Sequence, residues 1–172
     1  MSIKNARNTS ARSGVVSNLT SDNPHEVQMD SAERMVGNWR LSEWTASVNG
    51  RRVRPFGGVS TGLLIYTADG RMSATLMRTD REDLDSGTLA AAKEHERAHA
   101  AAGYISYGGR WYLSGDIVTH EVEVSLFPDW IGGKQLRRVK WLGDDLELST
   151  PEEHSQGGAT VVNRLTWQRI RE

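Results

Sequence analysis

The chain has 172 residues, no cysteine, and a formal net charge of -1 from 21 basic and 22 acidic side chains. Without cysteine there can be no disulfide and no thiolate zinc site, and the even charge balance speaks against a nucleic acid or other polyanionic partner. No apolar run approaches the roughly 20 residues that a membrane-crossing helix needs, so the expected class is one cytoplasmic domain able to bury a core without metals or crosslinks.

Residues 1–29 are rich in Ser, Asn and Arg and show neither helical nor strand periodicity, so they read as a disordered tail preceding a folded domain at 30–172. Lys4, Arg7 and Arg12 precede the first acid, Asp22, a faint likeness to an organelle-targeting peptide, and the apolar core of a secretory signal is missing. Asp30 and Glu33 have the spacing of a capping box, which predicts a helical turn over 31–36. Gly37-Asn38-Trp39 opens a strand that runs to about Val48 and turns at Asn49-Gly50. An irregular return over 51–59 is broken by Pro55 and Gly57-Gly58. Strands at 61–67 and 71–78 then flank Asp69-Gly70, the clearest hairpin in the chain.

The segment 90–102 is alanine-rich, lacks β-branched residues and stops at Gly103, which predicts a helical insertion between the third and fourth strands. Strand character returns at 104–113, turns at Ser114-Gly115-Asp116 and continues from Ile117. Side chains in a strand alternate between faces, so Val118, His120, Val122, Val124 and Leu126 share one face, opposite Ile117, Thr119, Glu121, Glu123 and Ser125. This is a half-buried strand with an imidazole aimed inward. Pro128 ends it, and 129–133 form a loop carrying Trp130. Strands at 135–142, 146–150 and 160–170, separated by Gly143-Asp144-Asp145 and Gln156-Gly157-Gly158, bring the total to eight. An all-β chain of eight antiparallel strands favours closure into a barrel, which removes the exposed edges and leaves room for one small ligand.

Gly37-Asn38-Trp39 together with Arg169 resembles the G-x-W and terminal-arginine arrangement of lipocalins, in which the arginine packs over the tryptophan and closes one barrel end. A closer resemblance, to the lipocalin-like domain proteins of bacteria and fungi, is carried by V-G-N-W-R-L (36–41), P-F-G (55–57), G-L-L-I-Y-T-A-D-G-R-M-S (62–73), G-Y-I-S-Y-G-G-R-W (103–111), T-H-E-V-E-V-S-L-F-P-D-W-I-G (119–132), Q-L-R-R (135–138) and L-T-W-Q-R (165–169). The resemblance implies an eight-stranded, calycin-type barrel with a small-molecule cavity. Related barrels are carriers, and some lipocalin-like proteins of biosynthetic pathways catalyse cyclisations or isomerisations. A fold hosts many functions, so the site has to be argued from its residues.

His120 is the first candidate, since an imidazole on the inner wall of a barrel can orient a polar ligand group or move a proton. Arg137 and Arg138 must face opposite ways. Arg137 shares its face with Val139 and Trp141 and is the one expected inside, where a guanidinium calls for a carboxylate, a phosphate or a ligand anion. Tyr107 lies on a face with Ile105, Trp111 and Leu113, and the adjacent Gly108-Gly109 suggests a bulge or a close approach of another backbone. Tyr66 and Tyr112 have the amphipathic character of pocket-lining residues. Trp39 and Trp167 read as barrel-end core, and Trp130 as a lid or a loop anchor. His95-Glu96-Arg97-Ala98-His99 spells H-E-x-x-H, yet an alanine-rich insertion in a barrel is not the setting of a catalytic zinc, and no third ligand has a defined place. Glu121 and Glu123 fall on the polar face, and no Ser-His-Asp order, phosphate-binding loop or dinucleotide fingerprint is present.

The expected function is binding of a small, largely hydrophobic molecule in the barrel. His120, Arg137 and Tyr107 would be the polar anchor, Tyr66, Val122, Val124, Trp130 and Trp141 the further lining, and 80–103 the cover of the mouth. The alternative is a cofactor-independent isomerase, cyclase or dehydratase of secondary metabolism, with His120 as general acid or base and Arg137 or Tyr107 stabilising negative charge. Neither a cofactor nor a metal is expected, the small molecule is the expected partner, and homodimer formation is left open.

Overall fold

In the computed structural model, which describes residues 31–151, 153–154 and 158–171, the alternating segments form one antiparallel sheet that closes on itself. Its strands are β1 (Gly37–Val48), β2 (Arg51–Val53), β3 (Ser60–Tyr66), β4 (Arg71–Arg78), β5 (Tyr104–Ser114), β6 (Ile117–Ser125), β7 (Lys134–Leu142), β8 (Asp145–Ser149), β9 (Glu153–His154) and β10 (Thr160–Arg169). Each long strand pairs with the next long strand, and β1 pairs with β10 from Trp39 opposite Arg169 to Val48 opposite Val161. The result is a closed eight-stranded barrel, with β2 and β9 as short additions alongside β1 and β10. Closure pairs the backbone groups that an open sheet would leave at its edges.

Helix is sparse: a turn, α1 (31–35), before β1, and α2 (Glu94–Ala102) between β4 and β5. The second helix starts later than Ala90 because the Glu96 carboxylate accepts the Lys93 backbone N–H at 2.7 Å and sets the first turn there. The expected tail at 1–29, Asp30 of the capping pair and the Gln156-Gly157 part of the last turn lie outside the described residues. Among the described residues no helix is long and apolar enough to cross a membrane.

One barrel end is plugged. Trp39 is fully buried and donates its indole N–H to the Met35 carbonyl at 2.9 Å. The Arg169 guanidinium lies over the Trp39 ring at 4.2 Å and donates to the carbonyls of Val36, at 2.8 Å, and Arg34. Gly37, with φ +140°, makes room for it, since a Cβ there would stand 2.4 Å from Arg169 Nη1. Trp141 packs against Trp39 with ring centroids 6.1 Å apart, and Arg34 covers it from outside at 4.0 Å. Arg169→Met loses one cation–π contact and two charge-assisted hydrogen bonds, an expected cost of about 2 kcal/mol. Urea unfolding would show it as a lower midpoint with an unchanged slope.

Two bulges decide which residues face inward. In β1 the register with β10 shifts between Leu41 and Glu43, so Ser42 is an extra residue. Trp39 and Leu41 point inward before it, and Trp44 and Ala46 after it. In β6, Val122 opposes Gly109 and Val124 opposes Gly108, which leaves Glu123 as the extra residue. The inward parity therefore passes from Val118, His120 and Val122 to Ser125, opposite Tyr107. Val124, expected on the inner wall, is instead 65% exposed, and Leu126 is exposed with it.

Candidate ligand-binding site

Between the plug and the far end, the barrel encloses a cavity of about 210 Å³. Much of its wall is apolar, from Leu64, Ala74, Leu76, Ile105, Leu148 and Leu165, with the indoles of Trp44, Trp130 and Trp167. Tyr107, His120, Gln135, Arg137, Thr150 and Asn163 supply the polar part.

His120 sits on β6 between Trp111 of β5 and Gln135 of β7 and has no solvent exposure. Both ring nitrogens meet tyrosines: Tyr66 Oη is 2.6 Å from Nε2, and Tyr107 Oη is 3.0 Å from Nδ1. A neutral imidazole has one donor and one acceptor nitrogen, so the order of the two bonds can be worked out. The Tyr66 side chain is buried behind the histidine and has no other hydrogen-bond partner among the described residues. Its hydroxyl therefore donates to Nε2, Nδ1 carries the imidazole hydrogen, and that N–H donates to Tyr107 Oη. The Tyr107 hydroxyl hydrogen is left over, on a side chain that lines the cavity.

Electrostatics keep this chain neutral. Burial first, and the nearby Arg137 charge second, lower the His120 pKa from 6.5 to about 3. Burial pushes Tyr66 well above the usual phenol value, with Tyr107 adding to the rise and Arg137 opposing it. Tyr107 is likewise raised by burial, while Arg137 opposes through its charge and its hydrogen-bonding contact.

Arg137 is half-buried and donates to the Leu136 carbonyl at 2.7 Å and to Gln135 Oε1 at 3.2 Å. Among the described residues it makes no ion pair, whereas its neighbour Arg138 points outward and pairs with Asp116. Among the described residues the wall thus carries a guanidinium without a carboxylate to neutralise it.

Of the residues expected at the site, His120, Tyr107, Arg137 and Trp130 meet at the cavity, with Trp130 edge-on to Tyr107 at 5.6 Å. Tyr66 acts from behind His120. Val122 is buried core that does not line the cavity, Trp141 belongs to the plug, and Val124 is on the outside. Trp167, expected as barrel-end core, is buried core that also lines the cavity. Sequence reasoning missed Trp44, Gln135, Thr150 and Asn163. Gln135 shares the face of Arg137, and Asn163 that of Leu165 and Trp167, so the signal for both was present as a polar residue on an apolar strand face. The insertion at 80–103 contributes nothing to this wall, and residues 81–85 and α2 border a separate, charged cleft. His95 and His99 are both exposed, and among the described residues no third ligand joins them.

A family model for the lipocalin-like domain matches residues 36–170, the whole barrel from β1 to β10. The chain belongs to the lipocalin-like domain family. It is 35% identical over 107 residues to the 4'-hydroxy-3'-methoxypropiophenone carrier protein ppsC of Aspergillus oryzae, a match that spans 58% of this chain and 96% of that relative. No solved structure matches the chain. This lipocalin-like domain is thus a ligand-binding barrel with a carrier among its relatives.

Proposed function

We propose that the protein is a carrier for a small, largely apolar molecule with an oxygen function at one end, an aryl ketone of the kind named for its relative. The observation that carries the reading is the pairing of an apolar cavity of about 210 Å³ with the hydroxyl of Tyr107 and the guanidinium of Arg137 on its wall. Apolar contact supplies the affinity, and the few fixed polar groups orient the ligand. His120 holds Tyr107 in place rather than touching the ligand as an acid or base. With both nitrogens bonded to tyrosines and a pKa of about 3, it does not gain or lose a proton near neutral pH, which weighs against the isomerase, cyclase or dehydratase alternative.

Trp44, Trp130 and Trp167 all line the cavity, so binding has an intrinsic reporter. Titration with 4'-hydroxy-3'-methoxypropiophenone should quench tryptophan fluorescence saturably at one ligand per chain, with a Kd on the order of 1 to 100 µM. A linear, unsaturable response to this ketone and to its simpler aryl ketone analogues would overturn the assignment.

A further inference from the structure

The hydrogen-bonding groups of the cavity wall are unbalanced. Its acceptors are each already engaged once within the protein: Asn163 Oδ1 accepts the Trp44 indole N–H at 3.1 Å, Thr150 Oγ1 accepts the Asn163 backbone N–H at 2.9 Å, and Gln135 Oε1 accepts from Arg137. Its donors are in surplus. The Tyr107 hydroxyl hydrogen is left over by the Tyr66–His120–Tyr107 chain, Arg137 carries a charge that no carboxylate balances among the described residues, and the buried Trp167 indole N–H has no partner among them. No aspartate or glutamate lines the cavity among the described residues. Among the described residues the charged and titratable groups facing it are Arg137, Tyr107 and His120; burial raises Tyr107 and lowers His120, which keeps both neutral near neutral pH.

A wall with spare donors, one cation and, among the described residues, no carboxylate suits an anionic oxygen that accepts several hydrogen bonds and donates none. A neutral phenol can donate to a remaining lone pair of Asn163, Thr150 or Gln135 but leaves the Arg137 charge uncompensated; its conjugate base pairs with that charge and repays the cost of holding the guanidinium half-buried without a carboxylate among the described residues. We propose that the cavity selects the phenolate form of a phenolic ligand, held by Arg137 and the Tyr107 hydroxyl. On binding a neutral phenol the O–H bond breaks, the electron pair stays on oxygen, and the proton leaves to solvent. This inference rests on the carrier reading and narrows it from an aryl ketone with an oxygen function to an acidic phenol bound as its anion.

The test uses the full chain and two probes, 4'-hydroxy-3'-methoxypropiophenone and its phenol methyl ether. A para-acyl phenolate absorbs at longer wavelength than its phenol, so ionisation of the bound ligand can be read directly between about pH 6 and about pH 9, a range that brackets acidic phenols. The bound phenol should ionise with a midpoint at least about one pH unit below that of the free compound, which corresponds to roughly tenfold tighter binding of the anion. The ether, with no proton to lose, should bind with a Kd independent of pH over the same range. Arg137→Met and Tyr107→Phe should each return the midpoint towards the free value. Saturable quenching by the phenol with an unshifted or raised midpoint in the wild type would overturn the phenolate and leave the carrier standing. Absence of saturable quenching by both probes would overturn the two together, and a full shift persisting in Arg137→Met would remove Arg137 from the assignment.

Discussion

His120→Leu should destabilise the protein by about 3 kcal/mol at neutral pH and, in the same variant, remove most of its sensitivity to mild acid. The first effect follows from Tyr66, whose hydroxyl is buried and has His120 Nε2 as its partner. With leucine there, that O–H has no acceptor and Tyr107 loses a donor, and each orphaned buried group costs about 1–3 kcal/mol. The second effect follows from linkage. The folded protein holds His120 neutral with a pKa of about 3, against an ordinary value of 6.5 in the unfolded chain. Between those values the unfolded state binds the extra proton, so stability rises with pH in that window. The contribution is complete above pH 6.5 and is lost progressively as pH falls towards the folded value. By pH 5 the loss amounts to about 2 kcal/mol, most of it gathered before the bulk of the carboxylates titrate. Urea unfolding of wild type and variant at about pH 7.5, 6 and 5 gives the difference directly. Parallel stability curves for the two proteins would show that His120 titrates alike in the folded and unfolded chain, contrary to its tyrosine-bonded burial. On the alkaline side the sign reverses: raised values for Tyr66 and Tyr107 give stability that is complete below the ordinary phenol pKa of 10.0 and declines as pH rises through it.

The parts of the architecture that were legible in the sequence rest on local chemistry. Asn49-Gly50 and Asp69-Gly70 mark turns that the backbone makes with positive φ, and the barrel strands fall close to the alternating segments. The Gly37-x-Trp39 and Arg169 pair was readable as a barrel plug only through its resemblance to the lipocalin arrangement, and the packing of Arg169 over Trp39 beside Gly37 agrees with it. The inward direction of His120 and the opposed directions of Arg137 and Arg138 followed from strict alternation, and in those stretches β6 and β7 do alternate. Alternation fails where the register shifts. One extra residue at Ser42 turns Trp44 inward, and one at Glu123 turns Val124 outward. Nothing in the strand's own composition marks Glu123 as unpaired; the information lies on the neighbouring strand, in Gly109. The hydrogen-bond partners of His120 were hidden for a similar reason. Tyr66 and Tyr107 are 54 and 13 residues away from it in sequence, and only closure of the barrel brings three strands' side chains to one point.

Because the Glu123 bulge sets the orientation of the cavity's upper wall, Gly109→Ala is the sharpest test of how the site is built. A Cβ at Gly109 would stand 1.9 Å from the Glu121 carbonyl oxygen and 2.9 Å from the Glu123 backbone nitrogen. Both are backbone atoms of β6, so no rotamer change relieves the overlap, and either β5 and β6 part or the bulge is lost. The expected cost is about 3 kcal/mol or more, well above an ordinary overpacked side chain. Gly108→Ala is the matched control: its Cβ would meet the Met72 carbonyl oxygen at 3.1 Å and Val124 Cγ2 at 3.6 Å, contacts that a small shift accommodates at about 1 kcal/mol. If the bulge is lost, Val124 turns inward in place of Ser125, next to Tyr107, and the wall formed by Tyr107 and Trp130 is displaced. Gly109→Ala should therefore weaken ligand binding at least about tenfold under conditions where the variant is still folded, while Gly108→Ala should stay within about threefold of wild type. Equal costs for the two substitutions in urea unfolding, with equal ligand quenching, would mean that the bulge does not hold the wall in place. Unequal costs would tie the geometry of Tyr107, and through it the orientation of the ligand's oxygen, to one glycine on the strand next to His120.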